Sequence, residues 1–191
     1  VQSNINSFGE MAMAGVGAFS KIEGFGFLPI TSFTMAMTTF ISQNLGAKEY
    51  NRAKKGAVFG VFCSITIAEL VGVIIYFFAP VFIGAFSSSG DVISYGTAQA
   101  HVVTLFYFLL AFSHCMAGIL RGAGKSTVPM FVMLICWCII RVSYITFAVN
   151  FIPKIQVIFW AYPLTWCLSS IVFLIYFLRS DWLHGLEKQG N

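Results

Sequence analysis

Charge is what this chain lacks. Of its 191 residues, only 9% are Asp, Glu, Lys or Arg, against about 25% in an ordinary soluble domain. A water-soluble protein so poor in charge would expose large contiguous apolar patches and aggregate, so that class is excluded. The net charge of +4 is small. No basic face exists outside short loops, which removes nucleic acid as a partner. Inside the long apolar runs there is no Asp, and Glu occurs only as Glu23 and Glu69. No nucleophile–base–acid set can be assembled from them, so the chain does not read as an enzyme. Metal-ligand spacings are missing too, and no metal site is expected. Neither Met nor a charged segment precedes an apolar stretch at Val1, so no signal peptide is read. The expectation is a fragment whose N-terminal part is missing. The five cysteines (Cys63, Cys115, Cys136, Cys138 and Cys167) all lie in apolar runs. A disulfide framework would need them in outer loops, so they read as packing residues. Cys136 and Cys138, two apart, should point to nearly opposite faces of a helix.

What is abundant is apolar length. Hydrophobic residues make up 58% of the chain, with 21 Phe and a mean hydropathy of +0.84. Five runs, at about 12–43, 56–86, 92–120, 127–150 and 155–178, can each cross a bilayer, since about 20 helical residues suffice. The fold class expected is all-α and integral to the membrane. Gly46 suits a helix C-cap. Asp91 suits an N-cap, as does Ser126, with Pro129 tolerated in the first turn. Basic residues fall on one side: Lys48, Arg52, Lys54, Lys55, Arg121, Lys125, Arg179 and Lys188, against Lys154 alone on the other. The positive-inside rule makes the first side cytoplasmic. The C-terminus is then inside, the first span begins outside, and residues 1–8 read as the outer end of a preceding helix. Gly46-Ala47 and Gly122-Ala123 form a weak internal echo, each ending an inside-facing helix, as transporter repeats do.

Ionisable residues inside such spans are costly and mark cavities or helix interfaces. The candidates for substrate or ion binding are Lys21, Glu23, Glu69, His101, Arg141 and Tyr107. Lys21 and Glu23, two apart, lie about 200° apart around a helix and cannot share a face. Lys21 can snorkel outward, whereas Glu23 needs a cavity or another helix. Gly24, Gly26 and Pro29 follow and allow a kink there. At about 1.5 Å per residue, Glu23, His101 and Arg141 fall in the middle-to-outer part of the bilayer and Glu69 nearer the midplane. One shared outer-half cavity is therefore the expectation, although counting leaves helix rotation open. His101 reads as a hydrogen-bonded packing residue or a proton relay, and His114 as structural. Arg141 reads as a partner of Glu69 or Glu23 or as a substrate contact. Tyr107 or Phe25 could hold an organic cation by cation–π attraction. Arg121-Gly122-Ala123-Gly124-Lys125-Ser126-Thr127 imitates a phosphate-binding loop, but that pattern requires Gly where Ile119 stands, and it should follow a strand.

Lys21-Ile22-Glu23, then Pro29, then Phe40-Ile41-Ser42-Gln43-Asn44-Leu45-Gly46-Ala47 with Arg52-Ala53 beyond, resembles the C-terminal lobe of the multidrug and toxic compound extrusion (MATE) family. Leu120-Arg121-Gly122-Ala123-Gly124 before Pro129-Met130 resembles that lobe's second inside loop. The resemblance covers nearly the whole chain and rests on the two loops and their spacing together. It implies a lobe of a two-lobe, twelve-helix transporter, with the last five helices and the end of a sixth present. It further implies cation-coupled antiport that exports organic, often cationic, drugs or metabolites from the cell membrane by alternating access. The coupling ion would be H+ or Na+, with no other cofactor. The partners implied are membrane lipid, a small organic substrate and the missing N-terminal lobe. One departure bears on the ion. Some members use an acid in the tenth helix, but Val92 to Leu120 here holds no Asp or Glu. Glu23 then stands as the coupling candidate. The alternatives are a lipid-linked saccharide flippase, which should show a more basic cavity, and a non-transporting membrane subunit.

Overall fold

A bilayer offers no water to backbone N–H and C=O groups, so a spanning segment must satisfy them internally. In the computed structural model, which describes residues 8–152 and 154–184, each apolar run is accordingly a helix. The five are α1 (Glu10–Gly46), α2 (Tyr50–Gly84), α3 (Gly90–Gly122), α4 (Thr127–Phe151) and α5 (Ile155–Arg179), all long and apolar enough to cross a membrane. Ser and Thr hydroxyls return to carbonyls one turn back: Ser20 to Val16 (2.9 Å), Thr34 to Ile30 (2.8 Å) and Thr104 to Ala100 (2.8 Å). Their polarity is thereby hidden without interrupting the helix.

Small residues set the packing, as membrane helices require. α1 and α3 run parallel, with Gly15 level with Gly96 and Thr34 level with Gly118. A Cβ added at Gly118 would lie 2.7 Å from the Thr34 carbonyl, and one at Gly15 would lie 2.6 Å from that of Val92. Thr38 fastens the same seam by donating to the Gly118 carbonyl (3.1 Å). α2 runs antiparallel to both, with Gly72 against Thr104 and Tyr107 of α3. α5 packs on α3, and α4 on α5. The middle of the bundle is filled by Phe19, Ile22, Ile30, Ile75, Tyr107 and Trp166. Phe62, Phe77, Phe147 and Leu178 face outward and remain exposed. Cys136 is buried and Cys138 exposed, so they face apart as expected.

Several local expectations are corrected. The second helix begins at Tyr50, not near residue 56, because the basic stretch after the loop is itself helical. α3 begins at Gly90 with Ser89 at the cap position, so Asp91 lies in the first turn and is not the cap. Ser126 does occupy the N-cap of α4, but its side chain makes no cap bond. Gly46 is the last helical residue, and the left-handed position falls on Lys48 (φ 59°). Lys48 N–H bonds to the Leu45 carbonyl and Glu49 N–H to that of Asn44, at 3.0 and 2.8 Å. The end of α3 repeats this geometry. Gly124 (φ 78°) bonds to Arg121 and Lys125 to Leu120, at 3.0 and 2.9 Å. Both are Schellman caps, so the sequence echo is also an echo of backbone geometry. α1 stays one helix through Pro29. The irregular turns lie elsewhere: a 3-10 turn at Thr104–Phe106 in α3 and a π-helical stretch at Leu134–Ile140 in α4. The proposed end of a preceding helix at residues 1–7, and Lys188, lie outside the described residues.

Candidate functional site

Glu23 of α1 lies within electrostatic range of Arg141 on α4, Tyr107 on α3 and Tyr162 on α5. It makes no direct ion pair with Arg141. Among the described residues the ion pair present is Asp181–His184, near the C-terminus (2.8 Å). Arg141 follows directly on the π-helical stretch of α4. Such stretches rotate the helix face locally and recur at functional sites. Its guanidinium donates from Nε and Nη2 to Thr165 Oγ1 at 3.1 and 2.7 Å. Tyr162 lies under the guanidinium at 4.5 Å and Trp137 at 5.6 Å from the ring centroids. The Thr165 hydroxyl passes its own proton to the carbonyls of Ala161 (2.9 Å) and Tyr162 (3.0 Å). Two donors of the guanidinium are thereby engaged, and its charge is spread over two aromatic faces.

Below this group the polar seam continues. Trp137 Nε1–H donates to Ser169 Oγ (3.2 Å). Ser113 bridges Ser169 and Ser170, at 2.9 Å each, and Ser170 donates to the Leu109 carbonyl (3.2 Å). His114 is wedged between Phe27 and Trp137, with ring centroids 5.4 and 5.2 Å away. Two polar atoms on the seam have no hydrogen-bond partner, the Tyr107 hydroxyl and His114 Nε2. Tyr107 itself is fully buried. An orphaned buried hydroxyl is costly, and here it marks the side of α3 that faces Glu23. Glu23, Tyr107, His114 and Arg141 thus sit along one interior seam of α1, α3, α4 and α5.

The remaining candidates lie apart from it. Lys21 is exposed, with Nζ 5.1 Å over the ring of Phe86 just past the C-terminal end of α2. It lies on a different face of α1 from Glu23. His101 Nε2–H donates to the Tyr76 carbonyl (3.1 Å), and its ring lies 4.3 Å from that of Tyr76. The reason is Pro80, four residues on in the same helix, which has no N–H to give that carbonyl. Glu69 Oε2 accepts from the Phe108 N–H (3.2 Å) at the turn that interrupts α3. Both are tied to backbone groups left without a helical partner, the first by a proline and the second by an irregular turn. The structure therefore brings Glu23, Arg141 and Tyr107 together and leaves Lys21, His101 and Glu69 elsewhere.

The residues that sequence reasoning passed over are Trp137, Tyr162, Thr165 and the three serines. One signal was available. Tyr162, Thr165, Trp166, Ser169 and Ser170 recur at three- and four-residue spacing in α5, which places them on one helical face.

Five described helices long and apolar enough to cross a membrane, packed around a polar seam, make a multi-pass membrane protein. The chain belongs to the MatE family, whose profile matches residues 2–147. It is 29% identical over 131 residues to the "Probable multidrug resistance protein NorM" of Thermotoga maritima, a match covering 66% of this chain and 27% of that protein. It is 22% identical over 180 residues to the "Probable multidrug resistance protein YoeA" of Bacillus subtilis, covering 93% of this chain and 38% of that one. Among solved structures, "MATE transporter ClbM in complex with Rb+" superposes with a TM-score of 0.84 at 18% identity, covering 94% of this chain and 42% of that protein. The chain therefore spans well under half the length of these relatives.

Proposed function

We propose that this chain is the C-terminal lobe of a transporter that exports organic, often cationic, drugs or metabolites in exchange for an inward-moving cation. The observation that carries this is Glu23: a carboxylate inside a membrane bundle, near Arg141 but not paired with it. A charge held at that cost is retained for function. The ionised carboxylate is attracted to Arg141, and that attraction draws α1 towards α4. Neutralising the carboxylate removes it, which makes the approach of the two helices the step that the ion controls. Glu23 supplies the countercharge to an organic cation.

The coupling ion is a proton in this reading, with Na+ the alternative. A proton needs one carboxylate and no shell of oxygen ligands, and Glu23 is the carboxylate on the seam among the described residues. The seam's single carboxylate and single guanidinium fit a cationic substrate better than a lipid pyrophosphate, which disfavours the flippase. The whole protein works from the plasma or inner membrane, with the C-terminus cytoplasmic by the count of basic residues. The test is Glu23→Gln in the full-length protein. Ion-driven efflux is lost while expression and membrane insertion are retained; efflux equal to wild type removes Glu23 from the coupling role.

A further inference from the structure

The basic start of α2 takes no part in the seam and has a structure of its own. Asn51, Lys54 and Lys55 are exposed on its first turns. Directly along the same face lie Val58, Phe59 and Phe62, exposed at 64, 69 and 68%. Together these six line a shallow trough of about 640 Å³. A second trough of about 530 Å³ adjoins it through Asn51, Lys55 and Phe59 and reaches Arg52 and Phe40. The trough is polar and cationic at one end and wholly apolar at the other. From Lys55 to Phe62 the helix rises about 10 Å. Neither Lys54 nor Lys55 forms an ion pair with another described residue. Glu49 is the acidic residue lining the adjoining trough, against Arg52 and Lys55.

We propose that the first three turns of α2 bind one acidic phospholipid of the cytoplasmic leaflet, its phosphate held by Lys54, Lys55 and Asn51 and an acyl chain laid over Val58, Phe59 and Phe62. Three features select lipid as the occupant. The cations stand at the mouth of a spanning helix, where headgroups lie. The apolar residues run along that helix into the hydrocarbon, out of reach of a soluble partner. Clustered Lys and Arg at the cytoplasmic end of a span match the negative charge of that leaflet. The requirement is one anionic phosphodiester and an acyl tail, which phosphatidylglycerol supplies and phosphatidylcholine, with its added cation, does not.

The test uses the full-length protein and native mass spectrometry with phosphatidylglycerol and phosphatidylcholine of identical acyl chains. Wild type should retain phosphatidylglycerol at least fivefold better. The double variant Lys54→Gln/Lys55→Gln should lower phosphatidylglycerol retention to the phosphatidylcholine level. Phe59→Ser should weaken both lipids, because it removes the acyl contact. Arg179→Gln, which takes one charge from the same membrane side, should change nothing. The proposal is overturned by equal retention of the two lipids in wild type, as would follow if another part of the longer protein covers the trough. It is equally overturned if the double variant behaves as wild type, or if Arg179→Gln has the same effect as the double variant.

Discussion

Glu23 and Glu69 are the two carboxylates placed within apolar runs, and the structure treats them differently. Glu69, on α2, has its carboxylate on the Phe108 N–H, which the 3-10 turn of α3 leaves without its helical partner. It completes a backbone hydrogen-bonding scheme. Glu23, on α1, lies within electrostatic range of Arg141, Tyr107 and Tyr162 and has no direct ion pair. The first carboxylate is bonded to a backbone group, whereas the second lies within range of charged and aromatic side chains without an ion pair. An acid within a membrane span is thus not by itself a functional residue. What distinguishes the two is whether the partner is a backbone group that must be satisfied or a side chain that can move.

Substitutions can break this comparison or sharpen it. After the loss expected from Glu23→Gln, the largest effect is from Arg141→Gln in the full-length protein. It removes the positive partner of Glu23 and leaves Thr165 without its two N–H donors, so ion-driven efflux should fall at least tenfold in vesicle uptake assays. Efflux within twofold of wild type would break the link between α1 and α4. Next is Glu69→Leu, which leaves the Phe108 N–H unsatisfied at a cost of about 1–3 kcal/mol and should lower the unfolding temperature in detergent. Glu69→Gln keeps an acceptor oxygen and should restore that temperature with efflux near wild type. Efflux lost in both Glu69 variants would give Glu69 the same standing as Glu23. His101→Phe keeps the ring against Tyr76 but drops the bond to its carbonyl, at about 1 kcal/mol, with transport unchanged. The smallest effect lies outside the seam. Lys48→Gly relieves a left-handed position and should raise stability by about 1 kcal/mol.

The spans were legible because length and hydropathy alone decide what crosses a bilayer. The direction of Lys21 was legible too, since two positions on a helix separate it from Glu23 by more than half a turn. Partnerships were not. Depth counting put His101 and Arg141 at the same level as Glu23, and Glu69 a little deeper, but depth says nothing of rotation about each helix axis. These helices are apolar nearly all round, so periodicity cannot supply it. Rotation is decided by glycine contacts such as Gly118 on Thr34 and Gly72 on Thr104. Those contacts belong to α1, α2 and α3, where His101 and Glu69 end on backbone groups, whereas Arg141 follows the π-helical stretch of α4. α1 continues as one helix through Gly24–Pro29, and the irregular turns fall at Thr104–Phe106 and Leu134–Ile140, where the sequence holds no proline. The Tyr162–Ser170 stripe was readable in principle, as small polar residues at helical spacing within an apolar span.

The central claim is that Glu23, and not Glu69, exchanges a proton against the substrate. The most direct measurement is proton release from weakly buffered, detergent-solubilised full-length protein when a saturating organic cation is added. Wild type and Glu69→Gln should each release close to one proton per molecule, and Glu23→Gln should release none. Equal release from Glu23→Gln and wild type would contradict the account.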